Sequence, residues 1–514
     1  MLREEQRQLV VRFVVATVVA GVAVRVVLAI WGGGTMIDDA YITARYARNL
    51  VDRGQLVYNV GERVLGVSGP LYALWVALHL LIVPASRIGY ALAATNTVLF
   101  AATAFALFRL LRRTSLPAAA LALLGFAGYL RFVDSAIVGM ETQLFMLGIV
   151  GSLLLLRAGR LAWLSLVTAL LMLVRPEGVL WALSVLVVLF AERRRPSVRE
   201  LAPGAAVIVA WIVFATAYYG SPIPSSVLAK SGWLVPERAA SAAERMSAVF
   251  TSLSMIELPS RLVLPPALRG ALPVIQTVSL VLFALGGYRL AKKRSPILAL
   301  PVLFLGYFAF YVLARGRADF SWYGVPSGLA YMVTVAVGLA WVTRLTLRRP
   351  LSGRLFATGA SVLFVVLVTS SVFVWRETRL PYFRAIRENY APVGDFITRE
   401  CPPEARVLVT ETGMIGWRAE RVVHETAGIV SPEVLRFFKE APGEVSFRSV
   451  LERFGTDIVV LDPLYVRTLR AQGGLDWVEE SYAVLAEFPS HSVLRRLTSP
   501  SLQDSSRSGA AASD

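Results

Sequence analysis

The chain has one cysteine, Cys401, and three histidines, His79, His424 and His491, in 514 residues. A single cysteine excludes an intrachain disulfide and a multi-cysteine zinc site. The histidines lie far apart and form no HExxH pair, which leaves zinc-hydrolase chemistry without its ligands. Charge is scarce too: 17% of residues are Asp, Glu, Lys or Arg, against 56% apolar. Soluble domains carry about 25% charged and about 45–50% apolar residues. A soluble enzyme and a disordered chain are both disfavoured on that ground. Acids are the scarcer sign, 35 against 52 Lys and Arg, for a net charge of +17. That surplus does not mark nucleic-acid binding. It sits in short clusters between apolar runs, the pattern of a polytopic membrane protein.

Apolar runs of spanning character recur near 8–31, 89–108, 117–133, 142–156, 161–174, 178–191, 201–218, 271–287, 296–313, 325–343 and 355–374. The first is too long for a signal-peptide core and reads as a retained anchor. Arg12 and Arg25 fall within it near its ends, where their side chains can snorkel. A further run, 70–83, decides the topology. If it does not span, five basic clusters share the side of the N-terminus: Arg109/Arg112/Arg113, Arg157/Arg160, Arg193–Arg195 with Arg199, Arg289 with Lys292–Arg294, and Arg344/Arg348/Arg349/Arg354. If it spans, all five move to the other side. The positive-inside rule favours the first arrangement, so 70–83 is expected to lie in the outer interface. The expectation is a polytopic α-helical membrane protein of about eleven spans, N-terminus cytoplasmic.

Two long outer segments follow, 32–88 and 219–270, and loops of that length are usually functional. Beyond residue 374 the composition turns mixed. Short apolar strands at 406–410, 421–424 and 457–461 alternate with helical patterns at 432–440 and 446–454. This predicts a small extracytoplasmic α/β domain over 375–498, after a transmembrane domain over 1–374, with a disordered Ser/Ala-rich tail at 499–514. No internal repeat or paired broken helices speak for a transporter.

The candidate chemistry falls on the outer face. Asp38 and Asp39 are adjacent carboxylates just past the first span, costly to desolvate together. The bland alternative is that Asp39 caps the helix that follows. That helix, 40–52, carries Tyr41, Arg45, Arg48 and Asn49, which otherwise read as an interfacial helix with solvated arginines. Glu141 opens the fourth span, where a helix dipole alone favours an acid. Arg175 and Glu177, in RPEG, read equally as a surface pair in a turn. Lys230 closes the rigid loop YYGSPIPSSVLAK. Arg315 and Arg317 precede Trp322 and Tyr323 on the side that should be poor in arginine, which an anion such as a lipid phosphate would explain. Together these residues offer a base for a hydroxyl nucleophile, cations for a phosphate leaving group and an aromatic platform.

The stretches DDAYITARYARNL (38–50), NVGERVLGVSGPLYALW (59–75), VGMETQLF (138–145), RPEG (175–178), YYGSPIPSSVLAK (218–230), WYGVP (322–326) and TETGMIGWRAERVVHETAGIVSP (410–432) occur in an order that resembles the GT-C class of integral-membrane glycosyltransferases. Within that class it most resembles the bacterial group containing the mycobacterial terminal arabinofuranosyltransferase, and more distantly the protein O-mannosyltransferases and the aminoarabinose lipid A transferase. The resemblance implies a sugar moved from a polyprenyl-phosphate donor to a hydroxyl of a glycan, lipid or protein acceptor, with inversion, at the outer face of a bacterial plasma membrane. It implies a role in cell-envelope glycan assembly, with arabinofuranosyl transfer as one form. It maps the catalytic base to Asp38 or Asp39, with Asp38 preferred, and Glu141 to the second acidic position. Tyr41, Arg45, Arg175, Glu177, Lys230, Arg317, Trp322 and Tyr323 are the expected donor phosphate and sugar contacts. Asp38, Asp39 and Glu141 would be the ligands of a divalent cation in those branches that use one. The chain departs from the family pattern at Thr410–Glu411 and His424–Glu425, so no role is carried over there. A lipid or polysaccharide transporter and a non-catalytic scaffold are the competing classes.

Overall fold

The computed structural model describes residues 4–232, 242–254, 272–313, 322–346, 353–426, 428–440, 447–471 and 475–497. Arg315, Arg317, the tail at 499–514 and parts of the 219–270 segment lie outside the described residues. The chain divides into two compact units. One comprises residues 1–36, 68–222 and 233–381; the other comprises 37–67, 223–232 and 382–514. The second unit thus takes in a stretch from each of the two long segments.

A helix forms on each apolar run, though it covers only the first part of 117–133: Glu4–Trp31, Ile88–Leu111, Leu116–Gly128, Thr142–Arg157, Leu161–Val174, Gly178–Ala191, Val198–Tyr219, Leu272–Lys292, Ala299–Leu313, Gly324–Thr346 and Gly353–Ala385. Among the described residues, seven helices are long and apolar enough to cross a membrane. Leu116–Gly128, Thr142–Arg157, Leu161–Val174 and Gly178–Ala191 are 13 to 16 residues long, short of the roughly 20 that a span needs. The 70–83 run forms Pro70–Leu80, 11 residues, about 16 Å long at 1.5 Å per residue. Large apolar side chains such as Val19, Ile30, Phe190 and Val213 stand exposed on the helices. A bilayer accepts such a surface where water would not.

Arg25 does not snorkel. It is fully buried, and its guanidinium donates to the carbonyls of Gly21 at 2.9 Å, Ala127 at 3.1 Å, Phe126 at 3.2 Å and Phe132 at 3.1 Å. It also lies over the Phe100 ring, 3.5 Å from its centroid. The physical reason is local. The run expected to be continuous over 117–133 breaks at Tyr129, which is extended, and a five-residue helix, Leu130–Asp134, follows. The break leaves the carbonyls of Phe126 and Ala127 without helical partners, and Arg25 supplies donors to them. Arg25→Leu should therefore orphan the buried carbonyls of Phe126 and Ala127, each worth about 1–3 kcal/mol. The expected result is a melting temperature lowered by several degrees in detergent; unchanged melting would show that the clamp bears no weight.

The second unit is built on a five-stranded sheet of order β2-β1-β3-β5-β4. The strands are β1 (Arg406–Val409), β2 (Val422–Glu425), β3 (Ile458–Leu461), β4 (Tyr482–Phe488) and β5 (His491–Arg496). β1 pairs in parallel with β2 and with β3; β5 runs antiparallel to β3 and β4. The three parallel strands lie where the sequence predicts strands. Their short, nearly continuous apolar runs suit burial on both faces, and all four residues of β3 are buried. Helices Pro432–Glu440 and Phe447–Phe454 also form where expected. They contribute Val434, Val450, Leu451 and Phe454 to a core with Leu408, Val459 and Leu494. β4 and β5 carry mixed residues and are not apparent in the sequence. The chain leaves β1 for β2 on one side and then crosses to β3 on the other, so the sheet reverses its winding between β1 and β3.

Candidate functional site

Asp38 begins the helix Asp38–Arg53, which packs in the second unit against the short helix Met414–Arg418. Its carboxylate does not cap its own helix, whose N-cap Ile37 has no side-chain bond. Instead Oδ2 accepts the Gly413 N–H at 2.9 Å and Oδ1 accepts the Met414 N–H at 2.7 Å. The Asp38 N–H donates to the Tyr382 hydroxyl at 3.1 Å. Position 413 has to be glycine for this approach: a Cβ there would lie 1.9 Å from the Asp38 carbonyl oxygen. Each carboxylate oxygen keeps a further lone pair for another donor.

Burial of Asp38 pushes its carboxyl up to about 7, opposed by the Met414 N–H and helped by the neighbouring Asp39 charge. The Gly413 N–H opposes the rise and the Glu411 charge adds to it. Amide donors favour the charged form and desolvation disfavours it; here desolvation prevails. The side chain is half-buried, so its removal from water is incomplete. A carboxyl that titrates near neutrality is matched to proton transfer. Asp39 is half-buried beside it.

The same helix holds Tyr41, buried with its ring 6.3 Å from the Trp417 ring, and Arg45. Expected to meet the donor phosphate, Arg45 is instead occupied by the protein. It is buried, and it donates to the carbonyls of Tyr58 at 2.8 Å, Arg421 at 2.7 Å and Ala419 at 3.2 Å, to that of Gly416, and to Asn59 Oδ1 at 3.1 Å. With its fork spent on these acceptors it ties 38–53 to the strand β2 region. An arginine in an interfacial helix looks the same in sequence whether it meets a phosphate or a backbone.

In the first unit the structure brings Glu141, Arg175, Glu177 and Tyr323 together. Arg175 lies 3.1 Å from Glu141 and 3.0 Å from Glu177, with its side chain 2% exposed. It also donates to Thr142 Oγ1 at 3.3 Å and sits 5.5 Å from the centroid of the Tyr323 ring. Trp322 adjoins Tyr323, ring centroids 5.9 Å apart. The surface-pair reading of Arg175 and Glu177 is thus corrected to a buried cluster of two carboxylates and one guanidinium. Arg175, held by both acids, positions them rather than offering an open anion site. Arg317 and the side chain of Lys230 lie outside the described residues.

Two of the three side chains proposed to hold a divalent cation are already engaged by the protein. Both Asp38 oxygens face N–H donors, and Glu141 faces a guanidinium. Among the described residues no three His, Cys, Asp or Glu side chains gather as metal ligands. The residues that sequence reasoning missed are Tyr382, Gly413 and Met414. For Gly413 and Met414 the sequence signal was the TETGMIGW stretch, whose role depends on meeting Asp38 across 375 residues; Tyr382 had none.

Residues 382–507 match the model of a domain of unknown function, DUF8728. No curated protein matches the sequence. Solved structures do. ArnT from Cupriavidus metallidurans in the apo state is 14% identical with a TM-score of 0.56, covering 93% of this chain and 97% of its own. The archaeal oligosaccharyltransferase AglB from Archaeoglobus fulgidus, in complex with an inhibitory peptide and a dolichol-phosphate, is 14% identical with a TM-score of 0.53, covering 90% and 72%. The chain shares the fold of these two proteins.

Proposed function

We propose, for a chain with the fold of the GT-C membrane glycosyltransferases, that it moves a sugar from a polyprenyl-phosphate donor to a hydroxyl acceptor at the outer face of a bacterial plasma membrane. The observation that carries this reading is Asp38: a fixed, half-buried carboxylate whose carboxyl is raised to about 7. Its charged form takes the proton of the acceptor hydroxyl. The freed oxygen attacks the anomeric carbon in line, the bond to the phosphate oxygen breaks, and polyprenyl phosphate leaves with inversion of the anomeric centre. General-base help of this kind is worth about 10²–10⁴-fold. The fold gives further support, because the AglB structure of the same fold holds a dolichol-phosphate.

In this reading Lys230, Arg317, Trp322 and Tyr323 serve the donor phosphate and sugar, and Arg175 orients Glu141 and Glu177. Tyr41 shapes the wall around Asp38. The transmembrane region through residue 374 receives the lipid donor and the domain over 375–498 receives the acceptor. The reading places the product in envelope glycan assembly, with arabinofuranose as one candidate sugar. The test is release of polyprenyl phosphate from a panel of labelled polyprenyl-phosphate sugars by the purified chain, supplied with glycan, lipid and peptide acceptors. Release from one donor is the expected result and identifies the sugar. Neither release nor binding of any donor would overturn the reading in favour of a transporter or scaffold.

A further inference from the structure

The sheet of the second unit carries a second cluster that the reaction above does not use. Open α/β sheets bind ligands outside the carboxyl ends of their strands, where the winding reverses. Here that place lies between β1 and β3. Thr410 and Glu411 directly follow β1, and Asp462 directly follows β3. The Thr410 hydroxyl meets both acids, Asp462 Oδ2 at 2.8 Å and Glu411 Oε2. One hydroxyl proton thus stands between two carboxylates.

His491, the first residue of β5, adds an independent sign. It is 3% exposed, and its Nε2 is buried without a hydrogen-bond partner, pointing at Glu411 Oε2 from 3.5 Å. Its other nitrogen is 2.9 Å from Ser490 Oγ, and its ring meets the Tyr390 ring edge-on at 4.9 Å. A buried ring nitrogen left without a partner calls for one. The chemistry of the cluster selects the ligand. Two carboxylates repel a phosphate, and metal ligands do not gather among the described residues. Carboxylates that accept, beside a hydroxyl and an imidazole that can do either, match neighbouring hydroxyls of a neutral sugar, which donate and accept together. Glu411 also lies on the loop whose Gly413 and Met414 amides hold Asp38.

We propose that Thr410, Glu411, Asp462 and His491 form a subsite for a neutral sugar residue of the acceptor, which grips neighbouring hydroxyls and presents another to Asp38. The proposal rests on the transferase reading and makes the acceptor a glycan. The test is saturation-transfer NMR and calorimetry on the full chain in detergent, without donor. The probes are methyl arabinofuranoside, methyl mannoside, methyl galactofuranoside and a Ser/Thr peptide. One glycoside should bind the wild type and bind about 10- to 100-fold more weakly to Glu411→Gln. Thr410→Val repeats the test should Glu411→Gln fail to fold. Glycoside binding untouched by both variants, absence of glycoside binding, or Glu411-dependent binding of the peptide alone would each overturn the proposal. Polyprenyl-phosphate release separates the two claims. Release with no such glycoside binding removes the subsite alone. Glu411-dependent glycoside binding with no release or donor binding removes the transferase reading and leaves a glycan site.

Discussion

Asp38→Asn is expected to lower polyprenyl-phosphate release by about 10²–10⁴-fold, the value of a positioned general base, while donor binding stays close to wild type. The pH profile separates chemistry from damage. Asp38 titrates near 7 because burial raises its carboxyl, so wild-type kcat/KM should rise about tenfold per pH unit below 7 and level off above it. The residual rate of the variant should lack that limb. A variant with wild-type turnover would remove Asp38 as the base. Stability moves in the opposite sense. The ordinary Asp value is about 3.9, and the folded value lies above it. Between those two values the folded chain holds a proton that the unfolded chain has released. The contribution of this group to stability is therefore fully present below about pH 4 and is lost as pH rises through 7. Asn presents one acceptor and one donor to two N–H groups, so it gives up one of the Gly413 and Met414 bonds. The comparison to make is the slope of melting temperature against pH, which should be flatter in the variant from pH 4 to 7. An identical slope would show that Asp38 does not titrate in this range.

Arg175→Leu should be the most destabilising single change in the first unit. It leaves Glu141 and Glu177 buried with no guanidinium between them. Removing one partner of a buried ion pair costs about 3–5 kcal/mol, because the remaining charge is uncompensated. The same principle predicts recovery. The triple variant Glu141→Gln, Glu177→Gln, Arg175→Leu carries no buried charge and should regain much of the lost melting temperature. Arg175→Lys should fall between, since an ammonium keeps the charge and loses the planar fork that reaches both acids. Thermal unfolding in detergent distinguishes these outcomes. An Arg175→Leu protein that melts with the wild type would mean that the cluster is solvated and its acids are free to serve elsewhere.

The periodic parts of the fold were legible in the sequence. Each apolar run became helical, with a break only at Tyr129 in the 117–133 run, because a chain in a bilayer must satisfy its backbone within the segment. The strands at 406–409, 422–425 and 458–461 were legible as well, since buried parallel strands are locally apolar. What was not legible is what a side chain meets at long range. Arg25 reads as a snorkelling arginine and Arg45 as a donor contact or a solvated arginine, yet both spend their donors on buried carbonyls. The bland reading made Asp39 an N-cap, yet the carboxylate that binds amides is that of Asp38, and the amides belong to residues 413 and 414.

The sequence by itself determined the membrane class, the order of the helices and the α/β character of residues 406–461, because hydrophobic burial and backbone hydrogen bonding act through local pattern. Only the tertiary structure decided which polar groups meet. Electrostatic partners are set by positions in space across hundreds of residues, and no local pattern encodes that Gly413 leaves room for Asp38, or that His491 turns its ring nitrogen toward Glu411.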